Sequence, residues 1–148
     1  MAGIKSKNTK PELVIRRALH GLGVRYSLHN KNIAGKPDLF MRKHKAAIFV
    51  NGCFWHGHDC KFSRVPSTNQ EFWVAKILTN QIRDSKVLKS LKDLGIRIAI
   101  VWECDLRGKT SEHVQLIANG LRQWLNDPAC QDYKEHSQDA IAEHLGED

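Results

Sequence analysis

Arg97-Ile-Ala-Ile-Val-Trp102 has the clearest strand pattern of the chain, because nearly every residue in it is apolar. A short apolar run after a turn signal, here Gly95, predicts a β-strand whose two faces are both covered. A second run of this kind, Ala46 to Val50, follows the polar segment Arg42 to Lys45. We therefore expect a sheet in which residues 97–102 form a central strand.

Three amphipathic segments predict helices around these strands. Thr9-Lys-Pro-Glu12 has the form of a capping box and opens a helical pattern that stops near Gly21. Thr68-Asn-Gln-Glu71 has the same form and opens a long pattern that ends at Gly95. A third pattern follows Ser111, with apolar residues three and four apart.

Two shorter segments complete the predicted sheet. Val24, Tyr26 and Leu28 alternate with polar residues, as in a half-buried strand, and Leu39 to Met41 follows the turn around Pro37. The resulting order α, β, β, β, α, β, α predicts an α/β or α+β fold, a mixed sheet flanked by helices.

Length and charge restrict the class of protein. With 148 residues, of which 41% are hydrophobic and 26% charged, the chain fits one globular domain. No apolar run is long enough for a membrane span, and no secretory signal is visible, so we expect a soluble, cytosolic protein. Residues 126–148 hold seven acids and one base, whereas residues 1–125 hold 22 bases and nine acids. We expect a basic domain at 1–125 whose partner is a polyanion such as nucleic acid, and a flexible acidic tail at 126–148.

Cysteine and histidine spacing predicts a metal site. Cys53, His58 and Cys60 lie within eight residues, and Cys104 follows the strand at 97–102. Three thiolates and one imidazole suit a tetrahedral, structural Zn²⁺. Two alternatives are a disulfide, which is disfavoured in a cytosolic chain, and a Cys104 that is simply a buried apolar residue. His56 could also compete with His58 for the ion.

Further side chains near this cluster could serve chemistry or DNA binding. Asp38 stands at the mouth of a strand, where a carboxylate can hold Mg²⁺, although an Asp in a turn is the simpler interpretation. Phe54 and Trp55, between a predicted metal ligand and His56, could enter between DNA bases. Trp73 could do the same, or could begin the apolar stripe of the long helix.

With these residues the sequence resembles the very-short-patch-repair (Vsr) endonucleases, a branch of the PD-(D/E)XK nuclease superfamily. The resemblance spans about residues 1–125 and rests on five motifs: Lys7-Asn-Thr-Lys-Pro-Glu12, Gly35-Lys-Pro-Asp38, Ile48-Phe-Val-Asn-Gly-Cys-Phe-Trp-His-Gly-His-Asp-Cys60, Glu71-Phe-Trp73 and Val101-Trp-Glu-Cys-Asp-Leu-Arg-Gly108. It implies a restriction-endonuclease-like fold and an enzyme that nicks one strand of double-stranded DNA, 5′ of the T in a T·G mismatch left by deamination of 5-methylcytosine. The partner would be DNA rather than a membrane, and the enzyme a monomer in a bacterial-type cytoplasm, associated with the nucleoid.

The resemblance also implies roles for individual residues. Asp38 and the main-chain carbonyl of Val50 would bind catalytic Mg²⁺, His56 would act as general base, and Glu12 would orient water beside the metal. Asn51 stands where this family commonly has histidine, and its amide can hydrogen-bond water but cannot take up a proton. The remaining implied roles are the structural zinc ligands Cys53, His58, Cys60 and Cys104, the aromatic wedge of Phe54, Trp55 and Trp73, and a second wedge from an N-terminal arm with Met1 and Ile4.

Two other functions remain open from sequence. A Vsr-like fold could serve as a sequence-specific restriction or homing nuclease that needs no mismatch. Alternatively, the chain could be a zinc-containing DNA-binding module without catalytic activity, in which Asp38 and His56 are structural.

Overall fold

The computed structural model of the chain describes residues 8–131 and 133. The predicted arm with Met1 and Ile4 lies outside these residues, as do residue 132 and residues 134–148 of the predicted acidic tail.

The helices and strands follow the predicted order, with one addition. They are α1 (Lys10–Gly21), β1 (Ser27–Leu28), β2 (Leu39–Met41), β3 (Ala46–Asn51), α2 (Gln70–Asp93), β4 (Arg97–Trp102), α3 (Glu103–Leu106) and α4 (Ser111–Asn126). The sequence did not indicate the four-residue α3, and the strand predicted from Val24 to Leu28 shortens to the two residues of β1. The mixed sheet flanked by helices, which was the predicted class, is confirmed.

The described sheet has the strand order β1-β2-β3-β4. β1 and β2 are antiparallel, β2 and β3 are antiparallel, and β3 and β4 are parallel. The prediction that residues 97–102 are central is therefore wrong, because β4 ends this order. Its apolar character has another cause: both faces are covered, and the backbone N–H of Tyr133 donates to the carbonyl of Ile98 at 3.2 Å.

Alternate residues of the strands pack into two cores. One core lies between the sheet and the helices α1 and α4, and it includes Ile15, Leu39, Ile48, Val101, Ile117 and Leu121. The other lies against α2 and includes Phe40, Ala47, Leu91, Ile96 and Ile98. The helices thus cover both faces of the sheet, which leaves the ends of the strands for a functional site.

The starts of α1 and α2 show where a capping box in the sequence predicted the first turn of a helix correctly and where it did not. The hydroxyl of Thr9 accepts from the backbone N–H of Glu12 at 3.4 Å, so the predicted start of α1 is confirmed. The box predicted at Thr68 is wrong, because α2 is preceded by Asn69, in a left-handed conformation and without a side-chain cap hydrogen bond.

The end of α4 is held from inside the protein. The guanidinium of Arg97 is buried and donates to the carbonyls of Trp124, Leu125, Asp127 and Cys130 at 2.8–3.1 Å.

Among the described residues, no helix is both long and apolar enough to cross a membrane.

Candidate active site and metal centre

The sheet topology brings Asp38 to the end of β3. Because β2 is antiparallel to β3, the residue that precedes β2 lies beside the carboxyl end of β3. The backbone N–H of Val50 accordingly donates to Oδ2 of Asp38 at 2.7 Å. Asn51 is the last residue of β3, opposite Trp102 of the parallel β4.

Glu12 lies beside Asp38 and is almost completely buried, with 1% of its surface exposed. Its carboxylate accepts from Nη1 of Arg16 at 2.7 Å, from Nε2 of His29 at 3.0 Å and from the backbone N–H of Asn8 at 3.1 Å. Burial by itself raises the pKa of Glu12, but hydrogen bonds with His29, Asp38 and Asn8 outweigh it and lower the pKa overall. Glu12 is therefore ionised at neutral pH.

The pKa of Asp38 is shifted in the opposite direction from that of Glu12. Burial raises its pKa to about 7, against the stabilising hydrogen bond from Val50 and with a further upward contribution from Glu12. Two neighbouring carboxyl groups thus share a site in which only one is readily ionised. A divalent cation relieves such repulsion, and ligand atoms of Glu12, His29 and Asp38 lie within 4.8 Å of one another.

His56 faces the same edge from the loop after β3. Its Nδ1 lies 2.6 Å from Oδ2 of Asp84 on α2, an arrangement that fixes the ring and leaves Nε2 available. Side-chain amides of α2 hold this loop as well: Asn80 donates to the carbonyl of Trp55 at 3.0 Å, and Gln81 to that of His56 at 3.3 Å. α2 therefore positions the imidazole.

Sequence reasoning missed both Asp84 and His29. Asp84 lies 28 residues from His56, and its only signal is that it falls at helical spacing with the buried residues Ile77 and Leu91 of α2. A polar residue on the inward face of a helix is unusual enough to be noticed. His29 follows β1 in a left-handed conformation, which no sequence pattern indicated.

The four predicted zinc ligands come together in one cluster. Ligand atoms of Cys53, His58, Cys60 and Cys104 lie within 4.8 Å of one another, and none of the cysteines is in a disulfide. His58 supplies the imidazole, with Nδ1 3.5 Å from Sγ of Cys104, whereas His56 points its Nδ1 to Asp84 instead. The disulfide alternative is thus wrong for this structure.

The surroundings of the cluster fit a soft divalent cation. The His58 ring stacks on Trp102 with 4.1 Å between centroids, and the backbone N–H of Cys104 donates to Sγ of Cys53 at 3.3 Å. Burial raises the pKa of Cys53 strongly and that of Cys104 to about 11. A cation is what would hold these three sulfurs as thiolates in so confined a space.

The three predicted wedge aromatics form one group at the surface. Ring centroids are 5.0 Å apart for Phe54 and Trp55, 5.5 Å for Phe54 and Trp73, and 5.8 Å for Trp55 and Trp73. All three are half-buried, and Trp73 belongs to neither core, so the interpretation of Trp73 as the start of a core stripe is wrong. Lys76 lies 5.9 Å from the Trp55 ring.

Two adjoining cavities connect these groups. Asp38, His56 and Asp84 line a cavity of about 560 Å³. His56 and Asp84 also line a second cavity of about 740 Å³, together with Phe54 and Trp55. The two cavities thus share His56 and Asp84, with Asp38 on one side of these residues and Phe54 and Trp55 on the other.

Comparison with known proteins agrees with this arrangement. The family described as "DNA mismatch endonuclease Vsr" matches residues 1–62. The type II nicking enzyme V.NmeAIP of Neisseria meningitidis serogroup A is 42% identical over 109 residues, which cover 74% of this chain and 78% of the relative. DNA mismatch endonuclease Vsr of Escherichia coli is 35% identical over 125 residues, covering 84% of this chain and 80% of the relative.

These matches define the class of the protein as a DNA endonuclease with a restriction-endonuclease-like fold. More narrowly, the chain belongs to the Vsr endonuclease family.

Proposed function

We propose that the protein nicks one strand of double-stranded DNA on the 5′ side of the T in a T·G mismatch that arises from deamination of 5-methylcytosine, and that the reaction requires Mg²⁺. The observation that carries this proposal is that His56 lines two adjoining cavities, one of which also contains Asp38 and the other Phe54 and Trp55. Catalytic groups alone would suit any nuclease, whereas half-buried aromatic side chains at the surface beside them suit a nuclease that distorts its substrate.

The carboxyl cluster would hold the catalytic ion. Asp38 and the main-chain carbonyl of Val50 are the proposed ligands, and Glu12 would orient water next to them. Mg²⁺, when bound, supplies positive charge that stabilises the attacking and leaving oxygens of the phosphodiester. Asp38 must be ionised for this role, and its raised pKa means that the cation competes with a proton at the site.

His56 would accept the proton of the attacking water. Its Nδ1 is held by Asp84, so Nε2 is the nitrogen left to act as general base. Asp84 keeps the ring oriented and stabilises the imidazolium that forms. The amide of Asn51, which lines both cavities, can hydrogen-bond the same water without taking its proton.

The aromatic group would provide selectivity for the mismatch. A T·G wobble pair is stacked and paired less well than T·A, so opening a step beside it costs less, and a difference of about a few kcal/mol favours the mismatched duplex. Phe54, Trp55 and Trp73 would enter the DNA from one groove, and the N-terminal arm with Met1 and Ile4 would enter from the other.

We propose a structural Zn²⁺ at Cys53, His58, Cys60 and Cys104, which would stabilise the loop that carries Phe54, Trp55 and His56.

A nicking assay tests the proposal directly. Duplexes that differ only in T·G or T·A at one position are incubated with the protein in Mg²⁺ or chelator, alongside Asp38→Ala and His56→Ala. We expect a single nick 5′ of the T in the T·G duplex, in Mg²⁺ only, no nick from Asp38→Ala, and nicking slowed by about 10²- to 10⁴-fold in His56→Ala. A pure zinc-containing binding module predicts no nick under any of these conditions.

A second candidate function follows from the names of relatives. Several relatives that are 41–42% identical are type II nicking enzymes. The protein would then nick a particular sequence whether or not it carries a mismatch, and equal cleavage of the two duplexes would favour this function over repair. In either case we propose that it acts as a monomer on bacterial nucleoid DNA in the cytoplasm.

A further inference from the structure

An arginine in the larger of the two cavities makes contacts that the proposed chemistry does not use. The guanidinium carbon of Arg107 lies 4.5 Å from the centre of the Phe62 ring, and its Nη1 lies 3.8 Å from Oε2 of Glu103. The Arg107 side chain is 59% exposed. Arg107, Phe62 and Glu103 line the same cavity as His56 and Trp55.

The cysteine cluster brings Phe62 and Arg107 close to each other. Phe62 lies two residues after Cys60, and Arg107 lies three residues after Cys104. Cys60 and Cys104 belong to one cluster of ligand atoms, so the segments that follow them are held next to each other although they are distant in sequence.

Each segment is also fixed locally. Ser63 accepts from the backbone N–H of Cys60 at 3.2 Å and donates to its carbonyl at 2.7 Å, which shapes the turn that carries Phe62. The backbone N–H of Arg107 donates to the carbonyl of Glu103 at 2.8 Å at the end of α3. These contacts fix the backbone of both segments, and the contacts with Phe62 and Glu103 favour one position of the guanidinium before DNA binds.

We propose that Arg107 is a specificity-determining residue that reads a guanine in a base pair flanking the cleavage site, from the major groove. The inference rests on the proposed function, because it needs DNA in the groove next to His56. Glu103 lies 3.8 Å from Nη1, and among the described residues no ion-pair partner contacts the edge formed by Nε and Nη2. Guanine presents two acceptors, O6 and N7, to a guanidinium edge of this kind, and the other bases do not.

A simple phosphate contact would not need this arrangement. Phosphate contacts position a protein on the duplex but carry no direct sequence information, and they do not require a planar fork aimed at one base edge. Stacking on Phe62 and pairing with Glu103 restrict the plane of the guanidinium, which lowers the entropic cost of a directional contact to one base edge. Lys61, whose ammonium lies 5.1 Å from the same ring, provides a matched cation without a planar fork.

The test uses the full chain and two libraries with randomised base pairs around a fixed T·G or a fixed T·A, and it measures both binding and nicking. We expect wild type to prefer guanine at one flanking position by about 5- to 150-fold, and both Arg107→Ala and Arg107→Lys to lose that preference. Phe62→Leu should weaken it, because the guanidinium loses its stacking surface. Lys61→Ala should lower affinity equally for all sequences and leave the preference unchanged.

Two outcomes would overturn the inference: a wild type with no guanine preference, or an Arg107→Ala variant that loses affinity uniformly and keeps the preference. Unchanged metal content and circular dichroism in each variant exclude misfolding as the cause. Failure of the proposed function gives a different result, equal nicking of the T·G and T·A libraries. The guanine preference can still be read from either library in that case.

Discussion

The partly buried carboxyl of Asp38 illustrates how loss of water can govern a titration even against a favourable hydrogen bond. In the absence of metal its pKa is about 7, above the ordinary 3.8, so the folded protein binds this proton more tightly than the unfolded chain does. The stabilisation that results is complete below about pH 4 and is lost as the pH rises through about 7.

The first prediction concerns Asp38→Asn in chelator. The amide removes the titration, so the variant should lose less free energy of unfolding than wild type between pH 5 and pH 8. At pH 8 we expect the variant to be more stable by about 1–3 kcal/mol. Urea unfolding at the two pH values measures this, and parallel pH dependences for the two proteins would contradict it.

The second prediction concerns the contact between His56 and Asp84. His56→Ala should lower kcat by about 10²- to 10⁴-fold, the usual contribution of a general base. Asp84→Ala should lower kcat by about 10- to 100-fold with little change in KM, because the ring is still present but no longer oriented. The matched control is Asp93→Ala, an exposed Asp at the end of the same helix, which should retain wild-type kcat. If Asp84→Ala changes KM alone, the carboxylate has no positioning role.

The sequence could identify site residues that lie close together along the chain. Cys53, His58 and Cys60 are such a group, and their proximity in the structure follows from a spacing of a few residues. Asp84 and His29 could not be found in this way, because their contacts depend on how α2 packs and on a left-handed residue after β1. The catalytic roles themselves stay predictions until the variants are assayed.

Hydrophobic periodicity correctly predicted which helices and strands form, apart from α3, and their order along the chain. It did not predict where each strand lies in the sheet. The apolar run of β4 indicates only that both faces of the strand are covered, and the helices cover them although β4 ends the described sheet. The outer edge of β4 is a separate matter, and there the backbone N–H of Tyr133 donates to the carbonyl of Ile98. The start of α1 was predictable because a Thr side chain caps it, whereas α2 begins at Asn69 through backbone conformation alone.

The third prediction concerns Arg97, whose guanidinium links β4 to the end of α4. Arg97→Met keeps most of the side-chain volume but removes the donors for four carbonyl groups. We expect a loss of about 2–4 kcal/mol in the free energy of unfolding, measured with urea. Arg122→Met, at an exposed position on α4, should change it by less than about 0.5 kcal/mol. Equal effects of the two substitutions would show that the buried hydrogen bonds contribute little.

The fourth prediction concerns the cysteine cluster, which joins the loop after β3 to α3. Elemental analysis should find about one zinc per chain in wild type, and Cys104→Ser should lose it or bind it much more weakly. Cys130→Ser, which changes a cysteine outside the cluster, should retain the zinc. A folded wild-type protein without zinc would exclude a structural ion at this position.

At the scale of the whole molecule, formal charge is distributed unevenly along the sequence. The full sequence has a formal net charge of +7, although residues 134–148 hold five acids and one base. We predict that these acids compete with DNA phosphates for the basic surface of the chain, and that the competition weakens when salt screens it.

The fifth prediction follows from this competition. A chain that ends at Tyr133 should bind duplex DNA about three- to tenfold more tightly than the full chain at about 50 mM salt, and the two affinities should converge at about 500 mM. A full-length variant with Gln or Asn at Glu135, Asp139, Glu143, Glu147 and Asp148 is the matched control, since it removes charge without removing residues. If the effect is electrostatic, this variant behaves like the shortened chain. If only the shortened chain binds more tightly, the terminal residues obstruct the groove by their bulk, and the charge of the tail has no part in DNA affinity.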